Sequence, residues 1–149
     1  MLHDEAADVL LVADQVLAKI SPNVSVLAMD PNSDPLGLYL RSLAALRRGV
    51  APQTLVLPGH GLPFFGLHHR IDELIAHHEA RCGAMFEACR AGPLSAAELL
   101  PVIFSRDLDP HQMGFAFNEL LAHVNFMARE GRLAATASRD GATRYIVTP

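Results

Sequence analysis

The sequence predicts an α/β chain in which a strand–helix–strand unit precedes a region dominated by helices. Two short apolar runs, Val9–Ala13 and Thr54–Leu57, have the length and composition of buried strands. A helix with one apolar face lies between them, and longer amphipathic stretches follow Gly66. We therefore predict two domains, residues 1–66 and residues 67–149.

The elements of the first domain are separated by turn residues. The strand Val9–Ala13 comes so early that no preceding element is expected to cover it. A loop rich in Pro, Asn and Asp ends at Asp34 and Pro35, which are typical of the N-cap and the first position of a helix. The apolar face of that helix ends before Gly49, and the second strand then runs from Thr54 to Leu57.

A long amphipathic helix opens the second domain. Apolar and small residues recur at helical spacing from Ile71 to Cys89, and Gly92-Pro93 ends the pattern. Ser95 and Glu98 have the spacing of a capping box, which predicts a short helix after them. Pro101 lies inside that helix, so a kink or an early end is expected there.

A third helix and a hairpin complete the predicted second domain. Asp109-Pro110 starts the helix and Gly131 ends it. Its predicted apolar stripe consists of Met113, Ala116, Phe117, Leu120, Leu121, Val124, Met127 and Ala128. Two short strands follow around an Asp140-Gly141 turn, which is a hairpin signal. Three helices followed by a hairpin is the order of a winged-helix domain.

Composition and charge argue against several classes of function. The 149 residues carry a formal net charge of −4, which offers no electrostatic footprint for nucleic acid or an anionic membrane. No apolar run approaches the roughly 18 residues that a membrane span needs. Cys82 and Cys89 lie about 10 Å apart along one predicted helix, too far for a mutual disulfide. We expect buried free thiols in a reducing cytoplasm.

Asp14 and His60 are the candidate site residues. Asp14 directly follows the first strand, and His60 follows the second strand within Pro58-Gly-His-Gly61. If the two strands are neighbours in one sheet, both side chains emerge at the edge where ligand sites of α/β proteins gather. A carboxylate can bridge two divalent metals, and an imidazole adds a neutral nitrogen ligand. The simpler interpretation of His60 is a residue that caps a strand and binds a loop carbonyl.

The other histidines are expected to have structural roles. His68 and His69 are interpreted as solvated or capping residues, and His111 as an exposed residue at a helix start. His78 lies on the apolar face of the long helix, where a packing role between the domains is expected. His123 lies beside the stripe of the third helix and is interpreted as a hydrogen-bonded packing residue.

Several stretches together resemble a known family. They are the run from Val12 to Val24, the helix that begins with Asp34-Pro-Leu36, and Leu57-Pro-Gly-His-Gly61. In this order they resemble the C-terminal half of the metallo-β-lactamase-fold hydrolases, and more specifically the glyoxalase-like hydrolases with a C-terminal winged-helix domain. Later motifs agree with that subgroup, including Gly92-Pro-Leu-Ser-Ala-Ala-Glu-Leu99 and Leu121-Ala-His-Val-Asn-Phe126.

The resemblance implies a fold, two ligands and a reaction. The fold is part of an αββα sandwich followed by a small winged-helix-like domain. Asp14 corresponds to the family's metal-bridging aspartate, and His60 to the last histidine ligand of the second metal. The family binds two divalent metals, usually zinc, and a metal-bound hydroxide attacks an ester, thioester, lactone or phosphodiester. The implied function is part of a metal-dependent hydrolase with a small-molecule substrate.

The chain departs from the family in one defining motif. The sequence His-x-His-x-Asp-His, which supplies most ligands of the first metal, does not occur in the 149 residues. Two ligands are too few for a catalytic zinc site, which takes at least three protein groups. We therefore expect a chain that is truncated relative to the family, inactive alone, and able to bind zinc only weakly.

Two alternatives stay open from the sequence. The first is a non-catalytic winged-helix module that binds nucleic acid or protein. Five arginines are balanced by five acids from Arg106 to the C-terminus, which argues against nucleic acid, although RNA stays open. The second is an interaction protein, because an incomplete α/β half exposes apolar sheet surface and favours a homo-oligomer.

Overall fold

The computed structural model describes residues 1–138 and 141–148. Within these residues it has a mixed α/β fold, as the sequence predicts. In chain order the elements are β1 (Leu2–Asp4), β2 (Val9–Ala13), α1 (Pro35–Gly49), β3 (Leu55–Pro58), α2 (Leu67–Arg90), β4 (Leu94–Ser95), α3 (Ala96–Ile103), α4 (Pro110–Arg129), β5 (Leu133–Ala137) and β6 (Thr143–Val147).

The chain forms two compact units, and each unit consists of two separate stretches of the sequence. The first unit contains Met1–Pro22 and Tyr39–His77, and the second contains Asn23–Leu38 and His78–Pro149. Helices α1 and α2 each contribute residues to both units. The predicted domains, residues 1–66 and 67–149, stay a prediction.

A three-stranded sheet organises the first unit. Its order is β1-β2-β3, with β1 antiparallel to β2 and β2 parallel to β3. Strands β2 and β3 were predicted and are confirmed. Strand β1, which was not predicted, precedes β2 and pairs with it at the edge of the sheet. The residues of β1 are all exposed and follow no apolar alternation, so a periodicity argument cannot detect this strand.

Strand β2 is buried on one face only, although its apolar run predicted burial on both. Leu10 and Val12 are 2% and 1% exposed, whereas Leu11 between them is 45% exposed. Successive side chains of a strand point to opposite faces, so the alternation identifies a covered and an uncovered side of the sheet. Leu2, paired with Leu11 in the neighbouring strand, is also exposed.

The second unit is organised by α4. Asn125 of α4 donates from Nδ2 to the carbonyl oxygens of Pro31 and Ser33, both at 2.9 Å. Arg129 donates to the carbonyl of Asn32 at 2.8 Å, so one face of the helix fixes the loop that leads into α1. The strands β4, β6 and β5 form an antiparallel sheet in that order.

The buried face of α4 differs from the predicted stripe. Met113 and Phe117 were placed on that stripe but are 41% and 37% exposed, whereas Ala122 and His123 are fully buried. The predicted stripe was wrong at Met113 and Phe117, whereas the burial of His123 agrees with its predicted packing role. Here His123 has a partner that compensates its burial.

Both predicted capping boxes are present. Ser95 and Glu98 cap α3, and Asp109 and Gln112 cap α4. Helix α3 continues two residues past Pro101 before it ends at Ile103. The hairpin of β5 and β6 is confirmed, while Asp140 of its predicted turn lies outside the described residues. Among the described helices none is both long and apolar enough to cross a bilayer.

We predict that Ser95→Ala lowers the free energy of unfolding by about 1 kcal/mol, the usual cost of an N-cap loss. The reason is that Ser95 Oγ accepts from the Glu98 backbone N–H, which otherwise has no intrahelical partner. Chemical denaturation followed by circular dichroism measures the change. Ser105→Ala, at an exposed serine beyond α3, is the control and should leave stability unchanged. Equal losses in both variants would contradict the capping assignment.

Candidate metal centre

Asp14 is placed by an irregular end of β2. The parallel register pairs Leu11 with Leu57 but Ala13 with Pro58, so β2 carries one extra residue at this point. Such a bulge changes the direction in which the following side chain leaves the sheet. Ala13 also has a positive φ of 50°, a conformation that costs a residue with a Cβ about 1 kcal/mol. Strain of this kind gathers at functional sites.

The segment after β3 is tied to the end of β2 by a backbone hydrogen bond. Gly59 donates its N–H to the carbonyl of Ala13 at 2.8 Å. A Cβ at position 59 would lie 2.5 Å from Asp14 Oδ1 and 3.2 Å from the carbonyl carbon of Ala13. Real Cβ atoms do not tolerate the first distance, so a side chain at position 59 would displace the Asp14 carboxylate from its present place.

Asp14 and His60 meet at this edge. Nδ1 of His60 lies 2.7 Å from Oδ1 of Asp14. A carboxylate oxygen can only accept, so Nδ1 of His60 carries the proton of this hydrogen bond. Strands β2 and β3 are neighbours, as the predicted meeting of the two residues required. The role of both residues as metal ligands stays a prediction.

The residue types and their exposure fit a cation site. The side chain of His60 is 74% exposed and that of Asp14 is 59% exposed, so a cation can reach both. A carboxylate oxygen and an imidazole nitrogen are ligands that zinc takes in proteins. Nδ1 of His60 and Oδ1 of Asp14 lie close enough for both atoms to bind one cation in place of the proton they share. Gly59 leaves room beside Asp14 that a larger residue would fill.

An apolar cavity of about 470 Å³ lies next to His60. It is lined by residues 17–20 and 60–64. Leu17, Ile20, Leu62 and Phe64 are among the apolar residues of the lining, which also includes Lys19. The cavity is large enough for a small organic molecule.

The other histidines agree in part with their expected structural roles. His68 Nε2 lies 2.8 Å from the Val50 carbonyl, and His69 lies 3.2 Å from Glu73, one turn further along α2. His111 is exposed, as predicted. His123 is buried and hydrogen-bonded to the Glu119 carbonyl, which confirms its predicted role.

Sequence reasoning missed a second group of possible ligands. His78, Glu119 and His123 each offer a ligand atom, and these atoms lie within 4.8 Å of one another. Glu119 and His123 have the i, i+4 spacing that places two side chains on one helix face, so two of the three residues were detectable. His78 comes from α2, and only the tertiary fold brings it near.

Comparisons with known proteins agree with this fold. The family model described as "Metallo-beta-lactamase-like, C-terminal domain" matches residues 82–148. A solved structure of a beta-lactamase domain protein from Burkholderia ambifaria is 47% identical, with a TM-score of 0.94; the match covers 98% of this chain and 43% of that protein. A metallo-beta-lactamase family protein from Thermus thermophilus is 34% identical, with a TM-score of 0.80; the match covers 97% of this chain and 44% of that protein.

The matches define the class of protein. A comparison with curated protein sequences gave no significant match. The family model and both structures place the chain among the metallo-β-lactamase-like proteins, and it corresponds to their C-terminal part. The predicted family is therefore confirmed. The chain spans less than half the length of either solved relative.

We predict that Gly59→Ala separates Asp14 from His60, because the added Cβ would crowd Asp14 Oδ1. Long-range ¹H–¹⁵N spectra of the histidine side chains should show loss of the His60 Nδ1–H···Asp14 hydrogen bond. Gly83→Ala is the control, since a Cβ at this position of α2 meets nothing within 4 Å. An unchanged His60 signal in Gly59→Ala would contradict the steric argument.

Proposed function

We propose that the chain supplies two metal ligands, Asp14 and His60, to the active site of a divalent-metal hydrolase. The observation that carries the proposal is the 2.7 Å approach of these side chains at the carboxyl ends of adjacent parallel strands. The match to metallo-β-lactamase-like proteins over nearly the whole chain supports it. Zinc is the cation we propose, because one carboxylate and one imidazole suit its preferences.

Asp14 and His60 have separate tasks in this proposal. The carboxylate of Asp14 and a ring nitrogen of His60 would hold the cation. When bound, the cation would lower the pKa of water and polarise a carbonyl or phosphoryl oxygen. It would take the place of the proton that His60 Nδ1 now donates to Asp14 Oδ1, because ligands bind a metal in their deprotonated form.

The cavity beside His60 is the proposed place for the substrate. Its largely apolar lining suits the acyl or ring portion of an ester, thioester or lactone. Lys19 can pair with a carboxylate or phosphate on the same molecule. The remaining ligands would come from the part of the metallo-β-lactamase fold that this chain does not span. The substrate and the activity of the longer relatives stay proposals for this protein.

We predict that this chain alone does not turn over thioester, lactone or phosphodiester substrates in the presence of Zn²⁺ or Mn²⁺. Two protein ligands bind a cation weakly and leave most of its coordination to water. Mn²⁺ should nevertheless broaden the NMR signals of His60, and Asp14→Ala should weaken that effect by about 10-fold or more. Asp107→Ala, at an exposed acid outside the site, is the matched control. Hydrolysis by the isolated chain would overturn the prediction of inactivity.

The uncovered face of the first sheet is a proposed contact surface. Met1, which precedes β1, is 65% exposed, Leu2 of β1 is 72% exposed and Leu11 of β2 is 45% exposed. Pairing of β1 with β2 puts Leu2 opposite Leu11, so these apolar side chains form one patch. Exposed apolar patches of this kind promote association. We propose that two copies of this chain associate through it.

We predict that the isolated chain forms a homo-oligomer and that Leu11→Lys shifts it toward monomer. The lysine at position 11 would have to bury its ammonium group in the apolar interface between the two copies, which is unfavourable. Light scattering coupled to size-exclusion chromatography measures the mass over a range of concentrations. Leu38→Lys, at a 62% exposed leucine of α1, is the control and should not change the mass. A monomeric wild-type chain would contradict the proposed surface.

A protein-binding role of the second unit is the alternative function. The helices α2, α3 and α4 and the sheet β4-β6-β5 follow in the order of a winged-helix-like domain. Apolar Met113, Phe115 and Phe117 are exposed near the start of α4, which favours a protein partner. Arg144 is paired with Glu98 at 2.7 Å, which reduces the positive charge that a nucleic acid would need.

The proposed compartment is a reducing cytoplasm. Cys82 and Cys89 are free and buried. Free thiols are typical of reducing compartments, in which disulfides do not persist. Burial raises the pKa of Cys82 to about 11, so its thiol is not ionised at neutral pH. Both cysteines therefore serve as small apolar residues of the core of the second unit.

A further inference from the structure

A polar cluster lies inside the second unit, apart from Asp14 and His60. His78 of α2 and His123 of α4 are both 0% exposed. Nδ1 of His78 lies 3.1 Å from Nε2 of His123, and the two rings are 5.1 Å apart at 38°. Two neutral imidazole nitrogens at this separation must share either a proton or a cation between them.

Proton positions on His123 can be assigned from its neighbours. Nδ1 of His123 lies 2.8 Å from the carbonyl oxygen of Glu119, which can only accept. The proton is therefore on Nδ1, and the lone pair on Nε2 faces His78. This is the arrangement of a metal-ligating histidine, whose second nitrogen donates to a backbone carbonyl.

The distance between the two nitrogens agrees with shared coordination. Zinc–nitrogen bonds of about 2.0–2.1 Å in tetrahedral geometry put two ligand nitrogens about 3.3 Å apart. The observed separation of 3.1 Å differs little from that value.

Glu119 completes the donor set. It lies one helical turn before His123, and its ligand atom lies within 4.8 Å of those of both histidines. Its side chain is only 12% exposed, and burial raises the pKa of this carboxyl, while Arg81 lowers it. Arg81 donates from Nη1 to Oε1, and a carboxylate can hold a guanidinium through one oxygen and a cation through the other.

We propose that His78, Glu119 and His123 form a second metal site, separate from the pair at the sheet edge, that binds one Zn²⁺-like transition-metal ion. Two imidazoles and one carboxylate suit zinc and its borderline neighbours better than Mg²⁺ or Ca²⁺. The site would join α2 to α4 inside one unit, so its effect is structural. Nothing in it depends on the proposed hydrolase function.

The test starts from the double variant Asp14→Ala/His60→Ala, which removes the other proposed ligands. After equilibration with zinc and gel filtration, elemental analysis should find about one zinc per chain. Zinc should also raise the thermal unfolding midpoint, because a ligand that binds only the folded state stabilises it. Co²⁺ should give the visible absorption of a tetrahedral site. A folded double variant that retains no zinc and gives no Co²⁺ spectrum would overturn the proposal.

Variants within the cluster separate a metal site from a packed histidine pair. His78→Asn keeps a donor near His123 Nε2 but removes the imidazole, and Glu119→Gln keeps the shape of the carboxylate. Each, added to the double variant, should weaken zinc binding about 10-fold or more. His111→Asn, at an exposed histidine of α4, is the matched control. Unchanged zinc content in both cluster variants would contradict the proposal, even if one of them is less stable.

Arg81 provides an independent readout. Its guanidinium competes for Glu119 and repels a nearby cation, so Arg81→Gln should tighten zinc binding if the cluster is a metal site. A histidine pair that serves packing alone predicts only a loss of stability. Weaker zinc binding by a folded Arg81→Gln variant would count against the proposed ligand set.

Discussion

The parallel pairing of β2 with β3 is the constraint on which the candidate site depends. Asp14 and His60 are 46 residues apart in sequence, and no local structure relates them. Their contact exists because the two strands run side by side and end at the same edge. The bulge in β2, the positive φ of Ala13 and the Gly59–Ala13 hydrogen bond all modify that edge.

In the second unit histidine side chains are buried, whereas the histidine of the sheet edge is exposed. Imidazole is expensive to bury unless its nitrogens have partners. His78 and His123 satisfy this requirement with each other and with the Glu119 carbonyl, and Arg81 covers the nearby carboxylate. The sheet edge of the first unit instead leaves its histidine and aspartate open to solvent. An exposed pair can exchange ligands with a substrate, whereas a buried cluster can only stabilise the fold.

The sequence predicted the elements with strong local signals. The capping residues Ser95 and Asp109 predicted where α3 and α4 begin, because a capping box joins two residues that are only three positions apart. Strand β1 was missed because its exposed residues carry no pattern, and β4 because two residues are too few for any periodicity. The packing role of His123 was predicted, but its contact with His78, 45 residues away, required the fold. Asp14 and His60 were found because each follows a strand end, but their 2.7 Å contact required the fold.

The central claim is that Asp14 and His60 are ligands of one cation. Anomalous diffraction at the zinc absorption edge, from crystals of this chain soaked in excess zinc, tests it most directly. If both residues are ligands, an anomalous peak should lie within bonding distance, about 2.0–2.2 Å, of both the Asp14 carboxylate and the His60 imidazole. An ordered Asp14–His60 hydrogen bond with no anomalous density beside it would contradict the claim.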